Sequence, residues 1–485
     1  MKVNKNYYGG RISNHQPYTL SIKVIFSIII LLSSFVLFSQ KKYENIREPS
    51  DRPNFVFIVA DDLGYGDLGF TGSTQIKTPN IDQLAQTGIF CTQGYVSSAV
   101  CSPSRAGFLT GINQVEFGHD NNLANTQPGF DPQFLGLPIE QKTIADYLKP
   151  LGYVSGIIGK WHLGYENQFH PLKRGFDKFW GYRGGGHDYF NSKPEGKGYM
   201  SPLESNYKTP QPITYITDDK GDECVDFIKR HKNEPFFLFA SFNAPHTPMQ
   251  ATQADLALYG HIQDKKRQTY AAMVHRLDVN VGRIIDAIAE HDLDKNTLVV
   301  FISDNGGPID NGSINSPYNG KKGTLLEGGL HVPFILNWPQ TLPSGKTYSQ
   351  MVSSLDFAPT FLALAGGNVK EYPFSGSDLI PHLMEDGNQI PHDNLMWRFT
   401  ISAAIREGDY KLIRLPDRLP LLFHLPSDIA EQHNIALDNL DITRDLLEKL
   451  GNWDVSLPHP LFLEGAEWKK RQLYQYDDSY PLIQP

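Results

Sequence analysis

The chain has 485 residues, with 44 lysines and arginines against 53 aspartates and glutamates, and a formal net charge of −9. No block of basic residues interrupts this acidic balance, which argues against a nucleic-acid partner. The three cysteines are too few for a disulfide scaffold. The length is sufficient for a large core and for about two domains.

The first segment is typical of an exported protein. Residues 24–39 form an uncharged apolar run, and four basic residues but no acidic residue precede it. This order predicts a signal peptide over residues 1–39 and a periplasmic or secreted protein. The run is short for a membrane span, so no stable membrane association is expected, and an uncleaved anchor is the alternative. Loss of residues 1–39 would take the charge from −9 to −13, so any anion would need a local cluster of cations.

Short apolar runs predict strands that are covered on both faces of a parallel sheet. Five such runs occur, at 55–64, 154–164, 236–246, 297–307 and 333–338. Helical patterns occur between them, at 80–88, 143–152 and 268–291. In the first of these helices, Asn80 is the expected N-cap and Gly88 the expected stop. The alternation of strands and helices predicts an open α/β sheet.

The pattern changes after about residue 395, where SAAIREGDYKLIRL and LPLLFHL predict neighbouring antiparallel strands. We therefore predict an α/β protein with a large, mostly parallel central sheet flanked by helices. A smaller C-terminal α+β domain would contain an antiparallel sheet. The expected boundaries are a large domain at 52–365, a linker at 366–394, and the small domain with its tail at 395–485.

Polar side chains follow four of the predicted strands, at the end where ligands bind in open α/β sheets. They are Asp61 and Asp62, then Lys160 and His162, then His246, and finally Asp304 and Asn305. The first and last of these groups offer only oxygen ligands, which suit Ca²⁺ or Mg²⁺. An Asp-Asp pair alone would be interpreted as a strand-end turn or a helix cap. The Asp-Asn pair at another strand end favours a cation site.

The cationic residues have plainer interpretations as well. Alternation in an extended segment would point Lys160 and His162 to one side, although each could be an ordinary structural or solvated side chain. His246 lies between prolines on a stiff loop, where a lone histidine is more often structural. Lys322, in the glycine-flanked segment NGKKGTLLEGG, is a candidate for anion contact or part of a solvated loop.

Two further segments allow more than one interpretation. The aromatic, glycine-rich stretch 175–190 contains His187 and Asp188, and it is either packed core or a loop that binds sugar faces. The segment CSPSRAGFLTG places Cys101 four residues before Arg105. That thiol could be a nucleophile of lowered pKa, half of a disulfide, or a small buried apolar residue.

From about Arg52 to about Ala436 the chain resembles the formylglycine-dependent, or type I, sulfatases. Their signature is Cys-x-Pro-Ser-Arg-x-x-x-Leu-Thr-Gly, and residues 101–111 match its seven fixed positions. DDLGYGDLG, GKWHLG, SDNGG and KGTLLEGG also resemble family motifs in the expected order. One departure is His331, where the family often has an arginine, and we expect His331 to be structural.

The resemblance implies that a maturation enzyme oxidises Cys101 to Cα-formylglycine. The hydrated aldehyde would attack sulfur with one hydroxyl and expel sulfate with the other. Four oxygen-bearing residues would hold one Ca²⁺ per chain: Asp61, Asp62, Asp304 and Asn305. The remaining roles would be bracing of the diol by Arg105, charge neutralisation of the sulfate by Lys160 and Lys322, removal of the diol proton by His162, and protonation of the leaving oxygen by His246.

The implied activity is that of a sulfuric ester hydrolase acting on a sulfated polysaccharide or oligosaccharide, for example an algal one. The aromatic content and the loop at 175–190 favour a sugar-shaped cleft, in which His187 and Asp188 are tentative substrate contacts. The alternatives are a phosphatase or phosphonate monoester hydrolase of the same superfold, and a non-catalytic glycan-binding protein. Two-zinc phosphatases typically have Asp-His at the position of Asp304-Asn305, and the amide oxygen suits Ca²⁺ better.

Overall fold

The computed structural model describes residues 52–124, 129–193, 199–210, 212–384, 390–463 and 466–480. The signal peptide predicted at 1–39 lies outside these residues. Among the described residues, no helix combines the length and apolar character that a membrane crossing requires.

The strands within the described residues are short. They are β1 (Asn54–Ala60), β2 (Ile89–Cys91), β3 (Gly94–Tyr95), β4 (Val154–Lys160), β5 (Lys178–Tyr182), β6 (Glu204–Ser205), β7 (Phe236–Ser241), β8 (Thr297–Ser303), β9 (Phe334–Asn337), β10 (Lys346–Tyr348), β11 (Val352–Ser353), β12 (Asn394–Phe399), β13 (Ser402–Glu407), β14 (Tyr410–Arg414) and β15 (Leu421–His424). All five apolar runs of the sequence form strands, which confirms that part of the prediction.

The helices within the described residues vary from one turn to seven. They are α1 (Pro79–Thr87), α2 (Cys101–Thr110), α3 (Ile144–Leu148), α4 (Ile216–His231), α5 (Gln253–Leu258), α6 (Lys265–Glu290), α7 (Glu327–Leu330), α8 (Phe357–Leu364), α9 (Leu379–Met384), α10 (Leu440–Ser456) and α11 (Ala466–Ser479).

The central sheet has nine strands in the order β10-β2-β9-β8-β1-β7-β4-β5-β6. The four strands β8, β1, β7 and β4 are consecutive in this order, and each pairs in parallel with its neighbour. These are the four strands that polar residues were predicted to follow. Their carboxyl ends therefore meet at one edge of the sheet, as the prediction of a single site requires.

Both faces of this sheet are covered, which explains why its strands are uninterrupted apolar runs. Phe55 of β1 stacks on Phe361 of α8 with ring centroids 4.6 Å apart, and Phe57 packs at a tilt against Phe357 with centroids 4.8 Å apart. Residues of β1 that point the other way, such as Val56, belong to a core shared with α6. Helices on both faces make the protein α/β, as predicted.

The first helix begins earlier than its sequence pattern indicated. Its N-cap is Thr78, not Asn80, and Pro79 occupies the first turn, where a missing N–H costs nothing. Asp278 of α6 accepts the backbone N–H of Asn80 at 3.1 Å and that of Ile81 at 2.8 Å. A distant carboxylate thus caps the helix, and Gly88 ends it as expected.

The C-terminal part contains an antiparallel sheet in the order β12-β13-β14-β15. One face packs against α10 through residues such as Leu446. The other face packs against the larger N-terminal part of the chain, where the ring centroids of Trp397 and Tyr95 are 5.6 Å apart. This sheet and the mostly parallel central one confirm the predicted fold class, while the exact domain boundaries remain a prediction.

Candidate active site

The ends of β1 and β4 bring a carboxylate and an ammonium group into direct contact. The Nζ of Lys160 lies 3.0 and 2.8 Å from the two carboxylate oxygens of Asp61. Both side chains are fully buried. Burial raises the pKa of Asp61, but Lys160 and His246 outweigh this effect and the pKa is lowered overall. Asp61 is therefore ionised, and its carboxylate oxygens can act as ligands for a cation.

Asp62 receives a second lysine from the loop after β8. The Nζ of Lys322 lies 2.7 Å from Oδ1 and 2.9 Å from Oδ2 of Asp62. Oδ1 also accepts a hydrogen bond from Nδ2 of Asn305 at 2.8 Å. Asp62 has a φ of 67°, a left-handed conformation that is uncommon for a residue other than glycine. Such strain is often found at functional sites.

Cys101 lies between these two ion pairs. It is the first residue of α2 and is 1% exposed. Its Sγ is 3.1 Å from Nζ of Lys322, 3.5 Å from Oδ1 of Asp61 and 3.9 Å from Oδ1 of Asp62. All three cysteines are free, so the disulfide alternative for Cys101 is wrong in this structure.

The thiol of Cys101 is not acidic in this environment. Burial raises its pKa to about 12, although Lys160 and Lys322 act in the opposite direction. A thiolate is the reactive form of cysteine, so the unmodified side chain would be a weak nucleophile. This argues against the simple cysteine nucleophile that the sequence left open.

Arg105 connects three of the four strands. Its Nε and Nη2 lie 2.9 and 2.8 Å from Oδ2 of Asp304, and its Nη1 donates to the carbonyl oxygen of Lys160 at 3.1 Å and to Oγ of Ser241 at 2.7 Å. The guanidinium is fully buried. In this structure it therefore holds Asp304, and the bracing of a diol on Cys101 remains a prediction.

His162 is placed differently from the expected alternation. The strand ends at Lys160, and His162 has a φ of 59°, so an extended-chain argument does not describe it. Its Nε2 lies 3.0 Å from the carbonyl oxygen of Leu123. A carbonyl only accepts, so Nε2 carries the hydrogen and Nδ1, which is buried without a described partner, keeps a lone pair. Burial and Lys160 hold the pKa of His162 well below its ordinary value, which leaves the ring neutral.

The packing around His162 is close. A side chain at Gly185 would begin 2.8 Å from Nε2 of His162, so the glycine-rich segment leaves space for this ring. His162 and the loop at 183–190 are therefore neighbours.

His246 faces Asp62 from the loop after β7. Its Nδ1 is 2.6 Å from the carbonyl oxygen of Thr247, and its Nε2 is 3.6 Å from Oδ2 of Asp62. Its side chain is 12% exposed, whereas those of Lys160 and Arg105 are fully buried. Burial lowers the pKa of His246, and the two aspartates oppose this effect. His246 thus presents Nε2 on the accessible side of the site.

The chain offers a plausible place for a hard cation. Ligand atoms of Asp61, Asp62, Cys101 and His246 all lie within 4.8 Å of one another. Asn305 adds a fully buried Oδ1 that has no described hydrogen-bond partner. A buried amide oxygen without a donor is costly unless something binds it. This oxygen and the adjacent carboxylates fit a cation of the Ca²⁺ type.

The predicted substrate contacts, His187 and Asp188, make hydrogen bonds within the protein. His187 is fully buried, with Nδ1 2.6 Å from the carbonyl oxygen of Asp188 and its ring 5.0 Å from that of Tyr182. The carboxylate of Asp188 accepts the N–H groups of Phe190 and Asn191 and a hydrogen bond from a glutamine. These contacts shape the loop, and a role in substrate binding remains a prediction.

Several supporting residues were not found from the sequence. Ser241 donates to the carbonyl oxygen of Lys160 at 2.6 Å, and Oγ of Ser102 lies 2.8 Å from Nε2 of His119. Burial lowers the pKa of His119 to about 3, so its ring is neutral. Ser241 is the last residue of β7, but its partner lies on β4, so the sequence around Ser241 did not reveal this role.

His331 is structural, as expected. Its Nδ1 is 3.0 Å from Oε2 of Glu327, and its ring stacks on Tyr318 with centroids 4.1 Å apart. The same glutamate receives Lys411 from β14 at 2.8 Å. Lys411 and His331, which stands where the family often has arginine, therefore contact the same glutamate.

Comparison with known proteins agrees with this geometry. The family model described as Sulfatase matches residues 53–367, and one described as N-sulphoglucosamine sulphohydrolase, C-terminal, matches residues 320–453. The chain is 33% identical over 379 residues to N-acetylgalactosamine-6-sulfatase of Canis lupus familiaris, which covers 74% of this chain and 71% of that protein. It is 30% identical over 444 residues to arylsulfatase G of Homo sapiens, covering 78% and 82% of the two chains.

A solved structure extends the similarity to nearly the whole chain. The crystal structure of Ps i-CgsB in complex with k-i-k-neocarrahexaose superposes with a TM-score of 0.80 at 36% identity, covering 89% of this chain and 98% of that one. The family model, the relatives and the fold all point in one direction. The chain belongs to the family of formylglycine-dependent type I sulfatases, which hydrolyse sulfuric esters.

Proposed function

We propose that this protein is an exported sulfatase that removes sulfate from a sulfated polysaccharide or oligosaccharide. The observation that carries the proposal is the position of Cys101, with Sγ 3.1 Å from Lys322 and flanked by the Asp61–Lys160 pair. The complex of a structural neighbour with k-i-k-neocarrahexaose supports a sulfated galactan-type saccharide, such as an algal one, as substrate. Export rests on the predicted signal peptide at 1–39.

Two groups would complete the site. Formylglycine, formed from Cys101 by a maturation enzyme, would supply a hydrated aldehyde as the nucleophile. One Ca²⁺, held by Asp61, Asp62, Asp304 and Asn305, would supply positive charge beside a sulfate oxygen. Both are implied by the family, and the buried Oδ1 of Asn305 supports the cation.

The chain's own cations would act on the sulfate. Lys322 contacts Sγ of Cys101 and is paired with Asp62, whereas Lys160 is paired with Asp61. Both ammonium groups would face the negative charge that develops on the sulfate oxygens. Such preorganised charges in a site with little water are worth more than in solution. Arg105, fixed on Asp304, would keep that carboxylate oriented.

The two histidines would divide the proton transfers. His162 keeps a free lone pair on Nδ1, so it would remove a proton from the hydroxyl whose oxygen returns to the aldehyde. His246 would protonate the leaving alcohol from Nε2. Its lowered pKa leaves the ring neutral in the free protein, and the charge of a bound sulfate ester would favour the second proton.

The test is sulfate release from defined sulfated oligosaccharides, together with mass spectrometry of the peptide that contains Cys101. We expect conversion of the thiol to the aldehyde in a host that has the maturation enzyme, and loss of turnover in Cys101→Ala. Cys224→Ala is the matched control, because Cys224 is equally buried but lies on α4. Near-normal turnover by Cys101→Ala, or a preference for phosphate over sulfate esters, would contradict the proposal.

A further inference from the structure

A cavity opens beside the nucleophile, on the side of His246. Its volume is about 410 Å³, which is in the usual range for small-molecule sites. Asp62, His246 and Lys322 line it, whereas Lys160 and Arg105 are fully buried. Because His246 is the proposed acid for the leaving alcohol, this cavity is where the sugar part of the substrate would lie.

The wall of this cavity carries more cations than its carboxylates can neutralise. Of the two carboxylates on the wall, Asp62 is paired with Lys322, and Asp310 is paired with Arg471 at 2.6 Å. Lys266 and Lys321 also line the cavity. Neither forms an ion pair within the part of the chain that the structure describes. The wall therefore has two ammonium groups in excess.

Neighbouring groups do not compensate for these two charges. The acidic residue nearest to Lys266 in sequence is Asp264, whose Oδ1 caps α6 by accepting the N–H groups of Lys266 at 2.8 Å and Arg267 at 3.1 Å. Lys321 is held in its loop by a hydrogen bond from its backbone N–H to Oγ1 of Thr324 at 3.1 Å. Two lysines on separate elements thus face one cavity in a protein whose net charge is −9.

We propose that Lys266 and Lys321 form a subsite for a second anionic group, a sulfate or a carboxylate, on the saccharide whose sulfate ester is cleaved. The inference rests on the proposed sulfatase function and narrows its substrate to a multiply charged saccharide. Ion pairs at partly exposed positions contribute little to binding. The subsite therefore tunes affinity for the correct substrate, and the chemistry proceeds without it.

The test compares matched oligosaccharides that carry one sulfate or two sulfates per repeat. In the double variant Lys266→Gln, Lys321→Gln we expect KM for the doubly sulfated substrate to rise about three- to tenfold. The kcat for the doubly sulfated substrate should stay within twofold of the wild-type value. The kcat and the KM for the singly sulfated substrate should also stay within twofold. A singly sulfated substrate with a carboxylate on the adjacent sugar distinguishes the two anions. Lys265→Gln is the control, since Lys265 precedes Lys266 but its Nζ donates to Gln268 at 3.1 Å.

Equal losses on singly and doubly sulfated substrates, or no change in KM, would overturn the subsite. Binding measured with Cys101→Ala separates this outcome from failure of the sulfatase proposal, because binding needs no turnover. A preference of that variant for the doubly sulfated saccharide, abolished by the two lysine substitutions, supports the subsite whatever the activity. Absence of any sulfate release by the wild-type protein contradicts the enzymatic proposal alone.

A second, independent observation concerns a buried lysine beneath the loop that carries His246. Lys220 on α4 is fully buried. Its Nζ donates to Oδ1 of Asn243 at 2.6 Å and lies 4.9 Å from the centre of the Tyr182 ring. Burial of an ammonium group without a carboxylate partner is costly, and no ion pair of Lys220 occurs among the residues described here.

The partner of Lys220 begins the turn that ends at His246. The N–H of His246 donates to the carbonyl oxygen of Asn243 at 2.7 Å. The hydroxyl of Tyr189 lies 2.8 Å from each of the carbonyl oxygens of Asn243 and His246, so its single hydrogen is shared between them. Lys220 therefore contacts the side chain of Asn243 in this turn, whereas Tyr189 contacts backbone carbonyl groups of the turn.

We infer that Lys220 is a positioning residue that fixes the ring of His246 beside Asp62. Lys220→Met keeps the volume of the side chain and removes its hydrogen bond. Small displacements of catalytic groups can cost about 100-fold in rate, so we expect kcat on a sugar sulfate to fall about 10- to 100-fold. On an activated aryl sulfate, which needs little help from His246, the loss should stay within twofold.

A comparison in the His246→Ala background separates positioning from general damage. If Lys220 acts through His246, Lys220→Met should cause no further loss once His246 is absent. An additive loss in that background, or equal losses on both substrate types, would overturn the inference. A melting temperature close to that of the wild-type protein verifies that Lys220→Met is folded.

Discussion

At the scale of single residues, His246 and His162 make different predictions because their rings serve different steps. A sugar alkoxide needs a proton as it leaves, whereas a nitrophenolate leaves with little assistance. General acid catalysis is typically worth about 10²–10⁴-fold, so His246→Ala should lose at least about tenfold more activity on a sugar sulfate than on an aryl sulfate. Steady-state kinetics on both substrates provide the measurement. Equal losses would leave His246 as a sulfate-binding residue.

His162→Ala provides the matched comparison for that experiment. His162 is proposed to act after the alcohol has left, so its loss should lower turnover on every substrate to a similar extent. Sulfated enzyme should accumulate and be visible by mass spectrometry. A leaving-group dependence as large as that of His246→Ala would contradict this assignment.

The oxygen ligands make a separate prediction about metal removal. A chelator should abolish sulfate release, and Ca²⁺ should restore it, because the cation is proposed to bind four oxygen-bearing side chains. Added Ca²⁺ should also raise the melting temperature of the wild-type protein, since a ligand that binds only the folded state stabilises it. Restoration by zinc alone would contradict the assignment.

Two variants distinguish the ligands from their neighbours. Asp304→Ala should lose both activity and the Ca²⁺-dependent rise in melting temperature, but it also leaves Arg105 without its carboxylate. Asn305→Ala avoids that difficulty, because it removes the buried Oδ1 and leaves the Arg105–Asp304 pair intact. An Asn305→Ala protein with an unchanged response to Ca²⁺ would remove Asn305 from the site.

The sequence revealed the site residues that lie at strand ends, and it did not reveal those that act through hydrogen bonds to distant partners. Asp61, Lys160 and Asp304 each occur where an apolar strand ends, and strand direction alone brings them together. Lys220 and Ser241 act through hydrogen bonds to partners in other elements, and no local pattern specifies such partners. Their participation depends on tertiary packing.

At the scale of elements, β4 depends on a glycine that precedes Lys160. Gly159 has a φ of 122°, and a Cβ there would lie 1.8 Å from the carbonyl oxygen of Ser241 on β7. Gly159→Ala must therefore push the two strands apart and shift Lys160. We expect a loss of more than about 2 kcal/mol in the free energy of unfolding, together with loss of activity, measured by denaturant unfolding and kinetics.

Gly72→Ala is the control for backbone strain. Gly72 has a similar φ of 109°, but apart from its two chain neighbours no residue that the structure describes has an atom within 4 Å of the position of its Cβ. Its substitution should cost only about 1 kcal/mol. If the two variants lose the same stability, steric contact between β4 and β7 is not the cause.

The sequence pattern predicted the types of these elements correctly, but it placed the start of the helix α1 wrongly. The strand runs and the helix α6 follow from hydrophobic periodicity, which reports burial directly. The start of α1 depended on Asp278, a carboxylate that is nearly 200 residues away in sequence. Asp278 leaves no local signal, but Thr78 followed by Pro79 is a local sign of a helix start, and the expectation that Asn80 is the N-cap was wrong because it passed over that pair.

At the scale of the whole molecule, a buried ion pair connects the predicted linker to the large sheet. Asp356, directly before α8, accepts a hydrogen bond from Nε2 of His392, with distances of 2.8 and 3.0 Å to its two oxygens. Asp356 also accepts the N–H of Ser377 at 2.8 Å. Segments before and after residue 385 thus converge on one carboxylate.

This ion pair predicts a pH dependence of stability. Burial lowers the pKa of His392, but Asp356 more than offsets this and raises the pKa above its ordinary value of 6.5. The stabilisation is therefore complete below pH 6.5 and is lost as pH rises through the raised pKa. His392→Gln, which keeps a donor without the charge, should be less stable than the wild-type protein by roughly 1–3 kcal/mol at pH 6. The difference in unfolding free energy should narrow by pH 9. His433→Gln, at a ring that is 79% exposed, should follow the wild-type curve. A deficit that stayed constant from pH 6 to pH 9 would mean that His392 contributes by packing and not by its charge.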